Sequence, residues 1–398
     1  QFSQEFQFLW NTDRISGVFG AFWLDANAFD AFDVVLGQLG VTSFTLGDVD
    51  TENWAVFGDV TYDINDQWRL SVGGRYNSDK RSVLITRELF LGLGSPFFGN
   101  DSAISITVPA PGLVPTFTGS RTDTDFNPRV SLSFAPNDEH NLYGTFSQGF
   151  KGGGFDPRGS YNVPGVEAGF EPETVDSFEL GAKSLWAGGK FSTNVAVFFS
   201  DYENVQVPGS IGIDTNNDGI DDSFAGTTTN AAEAEISGLE IEAAAQLNES
   251  YTGTFSLGLI DADFKRWIVD GVDVSGEREF QNTPDTTANL TLRNEWPITI
   301  RGVEGGLALI GAASYRSDNT QFEIPVPLVD QDAFTLVDVS LVWTSYDDRI
   351  QAGIHGKNLT DEEYRVAAYN FPTLGLEGNV SAFYGAPLTV TGTVRVRF

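Results

Sequence analysis

The sequence predicts an all-β chain, a transmembrane antiparallel β-barrel of about fifteen strands. Three observations carry that prediction. Stretches of about ten residues alternate apolar and polar side chains at period two. The connections between them alternate short and long without a break, seven of each. Tryptophans gather beside the short connections, at Trp10, Trp68, Trp186, Trp296 and Trp343. Ten-residue strands at a steep tilt match the thickness of a bilayer. Tight turns on one side, long loops on the other and an aromatic girdle are the habit of outer-membrane barrels.

The first strands fall near 2–10 and 15–24, joined by a short link at 11–14, and a long connection begins near Asp25. Strands near 54–62 and 68–76 flank a link at 63–67. In the second, Leu70, Val72, Gly74 and Tyr76 oppose Ser71, Gly73 and Arg75. After a long connection from Asn77, the strand near 129–135 sets Val130, Leu132 and Phe134 against Arg129, Ser131 and Ser133. The link 136–140 turns it into 141–150. Beyond Lys151, Phe178, Leu180 and Ala182 oppose Glu179, Gly181 and Lys183 in 177–185, and 186–190 leads to 191–201. Beyond Tyr202, strand 237–246 sets Leu239, Ile241 and Ala243 against Glu240 and Glu242, and 247–250 leads to 251–260. After Asp261 come 286–294 and 304–315, about a link at 295–303. After Arg316 come 334–343 and 349–357, about a link at 344–348. In the first of these, Val337, Val339, Leu341 and Trp343 oppose Leu336, Asp338, Ser340 and Val342. From Asn358 the last long connection reaches 386–398, where Leu388, Val390, Gly392, Val394, Val396 and Phe398 oppose Thr389, Thr391, Thr393, Arg395 and Arg397.

In a bilayer the apolar sets, such as Val337, Val339, Leu341, Val390, Val394 and Val396, should face lipid. Arg75, Arg129, Glu179, Lys183, Glu240, Glu242, Arg293, His355, Lys357, Arg395 and Arg397 should face a lumen, to grip a plug, guide solute or simply meet water. A soluble sandwich has no reason to place arginine and glutamate in mid-strand so regularly.

Composition narrows the function. With 398 residues, 43 Gly, 32 Phe, 11 Tyr and 8 Trp, the chain suits strands and turns. Its most apolar stretch, 305–314, is about half the roughly 18 residues of a membrane helix, which excludes a helical membrane protein. The absence of cysteine excludes disulfides and thiolate metal sites. With no methionine, the chain is expected to be a processed product or a fragment. A net charge of −32 argues against nucleic acid as a partner and suits a surface bathed in divalent cations, or simple solubility. No catalytic constellation stands out: His140 sits in a short turn, His355 on a strand, and neither has a serine nucleophile elbow nearby, so no enzyme is expected.

Two local motifs need an account. FSQGFKGGGF at 146–155 fails as a phosphate loop, because Lys151 precedes the glycines and Pro157 stands where a dinucleotide loop needs its last one. Its glycines are expected to supply flexible or positive-φ backbone where a strand leaves the membrane. DTNNDGIDD at 214–222 spaces oxygen ligands as a calcium loop does: Asp214, Asn216 and Asp218 through side chains, Ile220 through its carbonyl, and Asp222 directly or through water, about Gly219. Ala225 stands where the bidentate glutamate would be, and an Asn/Asp/Gly turn cluster is the plain alternative.

NLYGTFSQGFKGGGFDPR at 141–158 resembles a segment of TonB-dependent outer-membrane receptors. So do FEPETVDSFELGAKSLW at 170–186, FFSDYENVQV at 198–207, ISGLEIEAAAQL at 236–247 and GKNLTDEEYRVAAYNF at 356–371, and the chain ends on an alternating strand with Phe398. The resemblance runs along nearly all of residues 1–398. It implies a Gram-negative outer-membrane location among lipid and lipopolysaccharide. It also implies active uptake of a scarce nutrient (siderophore, cobalamin, carbohydrate or similar) with energy from TonB. Neither a TonB-contacting box nor a plug domain is found in this sequence. These strands would then be the last fifteen of a twenty-two-stranded barrel, with TonB contacted through the missing N-terminal part. Since an open edge is costly in lipid, about seven further strands are expected. A passive porin and a surface adhesin or structural barrel stay open as alternatives.

Overall fold

The computed structural model describes residues 1–36, 40–93, 104–106, 116–159, 161, 166–213, 223–269, 271–371 and 379–398. Among these residues there are nineteen strands and no α-helix. In chain order they are β1 (Phe2–Asn11), β2 (Ile15–Leu36), β3 (Val41–Asp63), β4 (Trp68–Leu91), β5 (Ile104–Ile106), β6 (Thr116–Asn137), β7 (His140–Lys151), β8 (Glu173–Trp186), β9 (Phe191–Ile213) and β10 (Ser223–Gln246). There follow β11 (Tyr251–Val269), β12 (Val272–Asp273), β13 (Thr286–Ile300), β14 (Val303–Arg316), β15 (Phe334–Ser345), β16 (Ile350–Lys357), β17 (Arg365–Phe371), β18 (Asn379–Tyr384) and β19 (Thr389–Val396). The fifteen predicted strands are all present. The four additions are short: β5 and β12 lie against β4 and β11, and β17 and β18 form a separate hairpin.

Each long strand pairs antiparallel with its sequence neighbour, through fourteen successive registers from β1–β2 to β16–β19. Residues opposite one another across an antiparallel pair share a face, so facing propagates across the sheet. Arg75 lies opposite Asn127, Arg129 opposite Ser147, Ser147 opposite Ser177, Ser177 opposite Ser200 and Ala196 opposite Glu240. The same path runs from Glu242 through Ser256, Asn289, Ser314 and Leu336, and from Ser340 to His355 and Thr391. Arg75, Arg129, Glu240 and Arg395 therefore occupy one face, and Arg397 continues the alternation. Val337, Val339, Leu341, Val390, Val394 and Val396 occupy the other.

The polar face is concave. Asp156, Pro157 and Arg158 touch three strands at once: Thr228 of β10 donates to Asp156, Arg87 of β4 donates to the Pro157 carbonyl, and the Pro157 ring lies against Gly47 of β3. Along the sheet β3 and β10 are six strand spacings apart, roughly 29 Å. Three consecutive residues span that gap only if the wall curls around them. The wall stays open, since β1 pairs only with β2 and β19 only with β16 among the described residues.

All five girdle tryptophans lie on the convex face, next to the short turns. Trp68 stacks on Phe134 at 4.6 Å, and Trp343 lies flat in the notch left by Gly305. A second aromatic tier on the same face comprises Trp23, Trp54, Tyr76, Phe126 and Tyr315, with Trp54 and Tyr76 5.6 Å apart. From Trp68 to Tyr76 a strand tilted by about 40° climbs about 20 Å, close to the apolar band of about 25 Å that such barrels present.

The structure revises the strand lengths. The expected ends near 24, 54, 76, 129, 201 and 237 mark the membrane boundary rather than the end of hydrogen bonding. β2 and β3 remain paired to Leu36 and Val41, β4 and β6 to Thr86 and Thr116, and β9 and β10 to Ile213 and Ser223. Beyond the bilayer neither face needs to be uniformly apolar, so alternation fades while backbone pairing persists. The link expected at 295–303 shrinks to Arg301 and Gly302, both at positive φ (50° and 83°), which suits a two-residue hairpin.

Candidate functional site

The concave face is a continuous polar surface held by side-chain pairs between neighbouring strands. Arg75 lies over the rings of Phe22 and Phe57 at 5.4 and 5.5 Å and donates to Asn77, which donates in turn to Asn127. Tyr143 donates to Glu179 at 2.7 Å, and Asn194 donates to Glu242 at 3.2 Å. His355 bridges Ser340 and Thr393 at 3.0 Å each. That contact joins three strands through the hydroxyls of its two neighbours. His140 lies on the other face, 4.7 Å from the ring of Trp186.

Above the membrane band this face changes character. Val83 and Ile85 of β4, with Val49 and Phe117, form an apolar patch covered by the 152–171 segment through Phe155, Tyr161 and Val166. Phe117 and Tyr161 stack with centroids 3.8 Å apart and planes within 5°. Asp156 anchors the segment: Arg158 donates to it from its backbone N–H (2.9 Å), Nε (3.0 Å) and Nη2 (2.6 Å), and Thr228 adds a fourth bond at 3.0 Å. Burial pushes the Asp156 carboxyl up, but these bonds and the Arg158 charge outweigh it and hold the group below the usual carboxylate range. Burial, reinforced by the Asp156 charge, pushes the Tyr161 phenol up, so it stays a donor to the Asp156 carbonyl.

The glycine run belongs to this anchor and corrects the expectation placed on it. Gly152, Gly153 and Gly154 are buried, and none has a positive φ. A Cβ on Gly153 would lie 2.6 Å from the Arg121 guanidinium carbon, and one on Gly154 would lie 2.8 Å from the Phe170 ring. These residues are glycine for close approach, not for flexibility. Arg121 in turn forks onto Asp123 at 2.9 and 2.7 Å and reaches Glu171 at 3.0 Å. The 77–128 stretch, read from sequence as a long connection, supplies Val83, Ile85, Phe117 and Arg121. Val83, Leu84 and Ile85 are apolar on both faces, so no period-two signal marked this wall in the sequence.

A second feature lies on the same face at the level of the upper aromatic tier. It is a cavity of about 550 Å³ between β13–β15 and the 317–333 and 364–366 segments. Arg316, Arg365, Asn282, Asn289, Asn319, Gln321 and Gln331 line it, and no carboxylate does. Neither arginine forms an ion pair among the described residues, and the Arg365 Nε is buried without a hydrogen-bond partner. In a chain of net charge −32, a wall with this polarity suits an anionic or hydroxyl-rich solute.

The expected calcium ligands, Asp214, Asn216, Asp218, Ile220 and Asp222, lie outside the described residues. Among the described residues no group of three or more His, Asp or Glu is arranged to hold a metal ion.

Comparison with known proteins bears on the whole wall. The family model described as TonB dependent receptor-like, beta-barrel matches residues 1–359. The pesticin receptor of Yersinia enterocolitica (serotype O:8 / biotype 1B) is 23% identical over 346 residues, covering 85% of this chain and 43% of that protein. Among solved structures, the ferric yersiniabactin uptake receptor FyuA from Yersinia pestis matches with a TM-score of 0.72 at 19% identity, over 100% of this chain and 54% of that one. The siderophore receptor PiuA from Acinetobacter baumannii matches at 0.64 and 12% identity, over 99% and 55%. The chain thus spans less than half the length of that curated relative and about half the length of those structures. At these identities the structural likeness speaks to the fold alone.

Proposed function

Since this chain belongs to the TonB-dependent receptor-like β-barrel family, whose members are outer-membrane transport receptors and not enzymes, we propose that it forms the wall of an active importer. The solute is a scarce nutrient, with a ferric chelate of the siderophore class favoured over cobalamin or carbohydrate. The printed names of its relatives, a pesticin receptor and receptors for ferric yersiniabactin and siderophores, support that choice. The observation that carries the reading is the concave polar face, which leads at the level of the upper aromatic tier to the carboxylate-free cavity at Arg316 and Arg365. A water-lined wall with a cationic mouth is suited to admit an anionic chelate. Energy from TonB, delivered through a part of the protein beyond this sequence, completes the proposal, as do outer-membrane lipid and lipopolysaccharide around the convex face.

The test is uptake of radiolabelled iron chelates by cells expressing the full-length protein, with and without TonB and with the proton gradient collapsed. Uptake that needs both supports import, whereas uptake indifferent to both makes the protein a passive pore. The calcium loop at 214–222 stays a proposal of its own and rests on oxygen spacing. Titration with calcium checks it, and Asp214→Ala or Asp218→Ala should abolish the binding.

A further inference from the structure

The cavity between β13–β15 and the 317–333 segment offers more than positive charge. Some of its polar side chains serve the fold. Gln331 accepts from the Arg365 backbone N–H at 2.6 Å and donates to the Asp332 carbonyl at 2.7 Å. Asn289 donates to Ser256 at 3.3 Å. Four others are left over. Among the described residues, the Arg316 guanidinium and the side-chain amides of Asn282, Asn319 and Gln321 make no hydrogen bond or ion pair. Gln321 matters most, because it is only 5% exposed. Its backbone N–H donates to Asp330 at 3.3 Å, yet its amide lines the cavity unmatched. A buried amide without a partner is destabilising, so one kept open to a cavity calls for a ligand. The backbone holds these heads in place. Asn319 exchanges two hydrogen bonds of 2.9 Å with Gln331, and the Asn282 N–H donates to the Thr320 carbonyl at 2.8 Å.

We infer that this cavity selects ferric complexes of hydroxy acids over ferric catecholates and hydroxamates. The inference rests on reading the cavity as the solute's site, and it names the solute's chemistry. An amide offers donors and an acceptor together, so three of them match a ligand surface bearing hydroxyls as well as carboxylate oxygens. Arg316 suits a carboxylate, and with no carboxylate in the wall nothing competes for it. Hydroxy-acid chelates present that surface, since uncoordinated carboxylates, hydroxyls and iron-bound water point outward from the metal. Catecholates and hydroxamates turn their oxygens inward and present rings and linkers. Such a surface would leave Gln321 buried and unpaired, and a site built around hydrogen bonds rejects ligands that lack them. The wall is also poor in rings to receive a catechol. Phe334 and Tyr364 stack on each other at 4.9 Å, which covers one face of each. The volume of about 550 Å³ lies within the range of about 300–1,000 Å³ usual for small-molecule sites.

The test measures affinity in the full-length protein purified in detergent, by quenching of its tryptophan fluorescence. The probes are ferric citrate, a ferric tris-catecholate and a ferric tris-hydroxamate. The wild type should bind ferric citrate most tightly of the three. Gln321→Leu and Asn319→Ala should each weaken that binding about tenfold, the loss of one hydrogen bond to a charged group. Both variants should leave the other two affinities unchanged. Folding of each variant is checked by heat-modifiable migration in gels. A catecholate or hydroxamate bound more tightly than ferric citrate overturns the selectivity and leaves chelate import intact. Wild-type affinity for ferric citrate in both folded variants does the same, and would mean that the amides meet another part of the protein. Binding of none of the three chelates overturns this assignment and the chelate reading together.

Discussion

The guanidinium of Arg121 lies directly over the backbone of Gly153, 2.6 Å from where a Cβ would stand. Two distant parts of the chain meet there, because the Gly153 N–H donates at 3.0 Å to Asp123, the same carboxylate that Arg121 grips. Gly153→Ala should force the segment off its seat at a cost of about 1–3 kcal/mol, the usual range for overpacking. Limited proteolysis should then cut within 152–171 while the barrel strands stay protected. Unchanged protection would show that the contact relaxes freely.

Asp156 should make the same segment sensitive to acid. Its carboxyl titrates below the ordinary aspartate value of about 3.9, so its stabilisation is complete above that pH and is lost only as pH falls through the depressed value. Protection against amide exchange in 152–161, corrected for the intrinsic pH dependence of exchange, should be flat from neutrality to about pH 4 and fall only below that. Asp156→Asn should lower it above about pH 4 by about 1.5–3 kcal/mol, the range for a bond to a charged group, and the difference should shrink at lower pH. A fall already between pH 7 and 5 would point to another group.

Facing can be read residue by residue, since the chain has no native cysteine. Single cysteines at Ser340 and Thr391 should react with a membrane-impermeant maleimide through the aqueous lumen, and those at Val339 and Val390 should not. A one-residue slip would reverse both pairs together. The reversed pattern would remove the basis for the membrane placement.

The cavity at Arg316 and Arg365 should matter to solute affinity and not to folding. Arg316→Ala and Arg365→Gln in the full-length protein should each weaken binding of an anionic ferric chelate by about 1.5–3 kcal/mol, tenfold to a hundredfold. Binding of a neutral chelate should change little. Equal loss for both chelates would mean that the arginines shape the wall and do not contact charge.

The sequence by itself determined the strands that cross the bilayer. Lipid on one side and water on the other impose a period of two, and Leu70–Tyr76, Phe178–Ala182 and Leu388–Phe398 all obey it. The tight turns and the five girdle tryptophans were legible for the same reason, since each answers to its immediate surroundings. The set from Arg75 to Arg397 was legible as one face but not as a site, because alternation says which side a residue is on and nothing of what it meets.

Tertiary structure alone decided the rest. β2–β3, β4–β6 and β9–β10 continue past the membrane, where nothing enforces alternation, so only their pairing reveals them. Gly153 under Arg121, Tyr161 on Phe117, and Arg316 beside Arg365 join residues far apart in the chain. Those contacts exist because the wall curls until β3 and β10 face the same segment. Curvature of that kind comes from the twist and tilt summed over many strands, and no local stretch of sequence contains it.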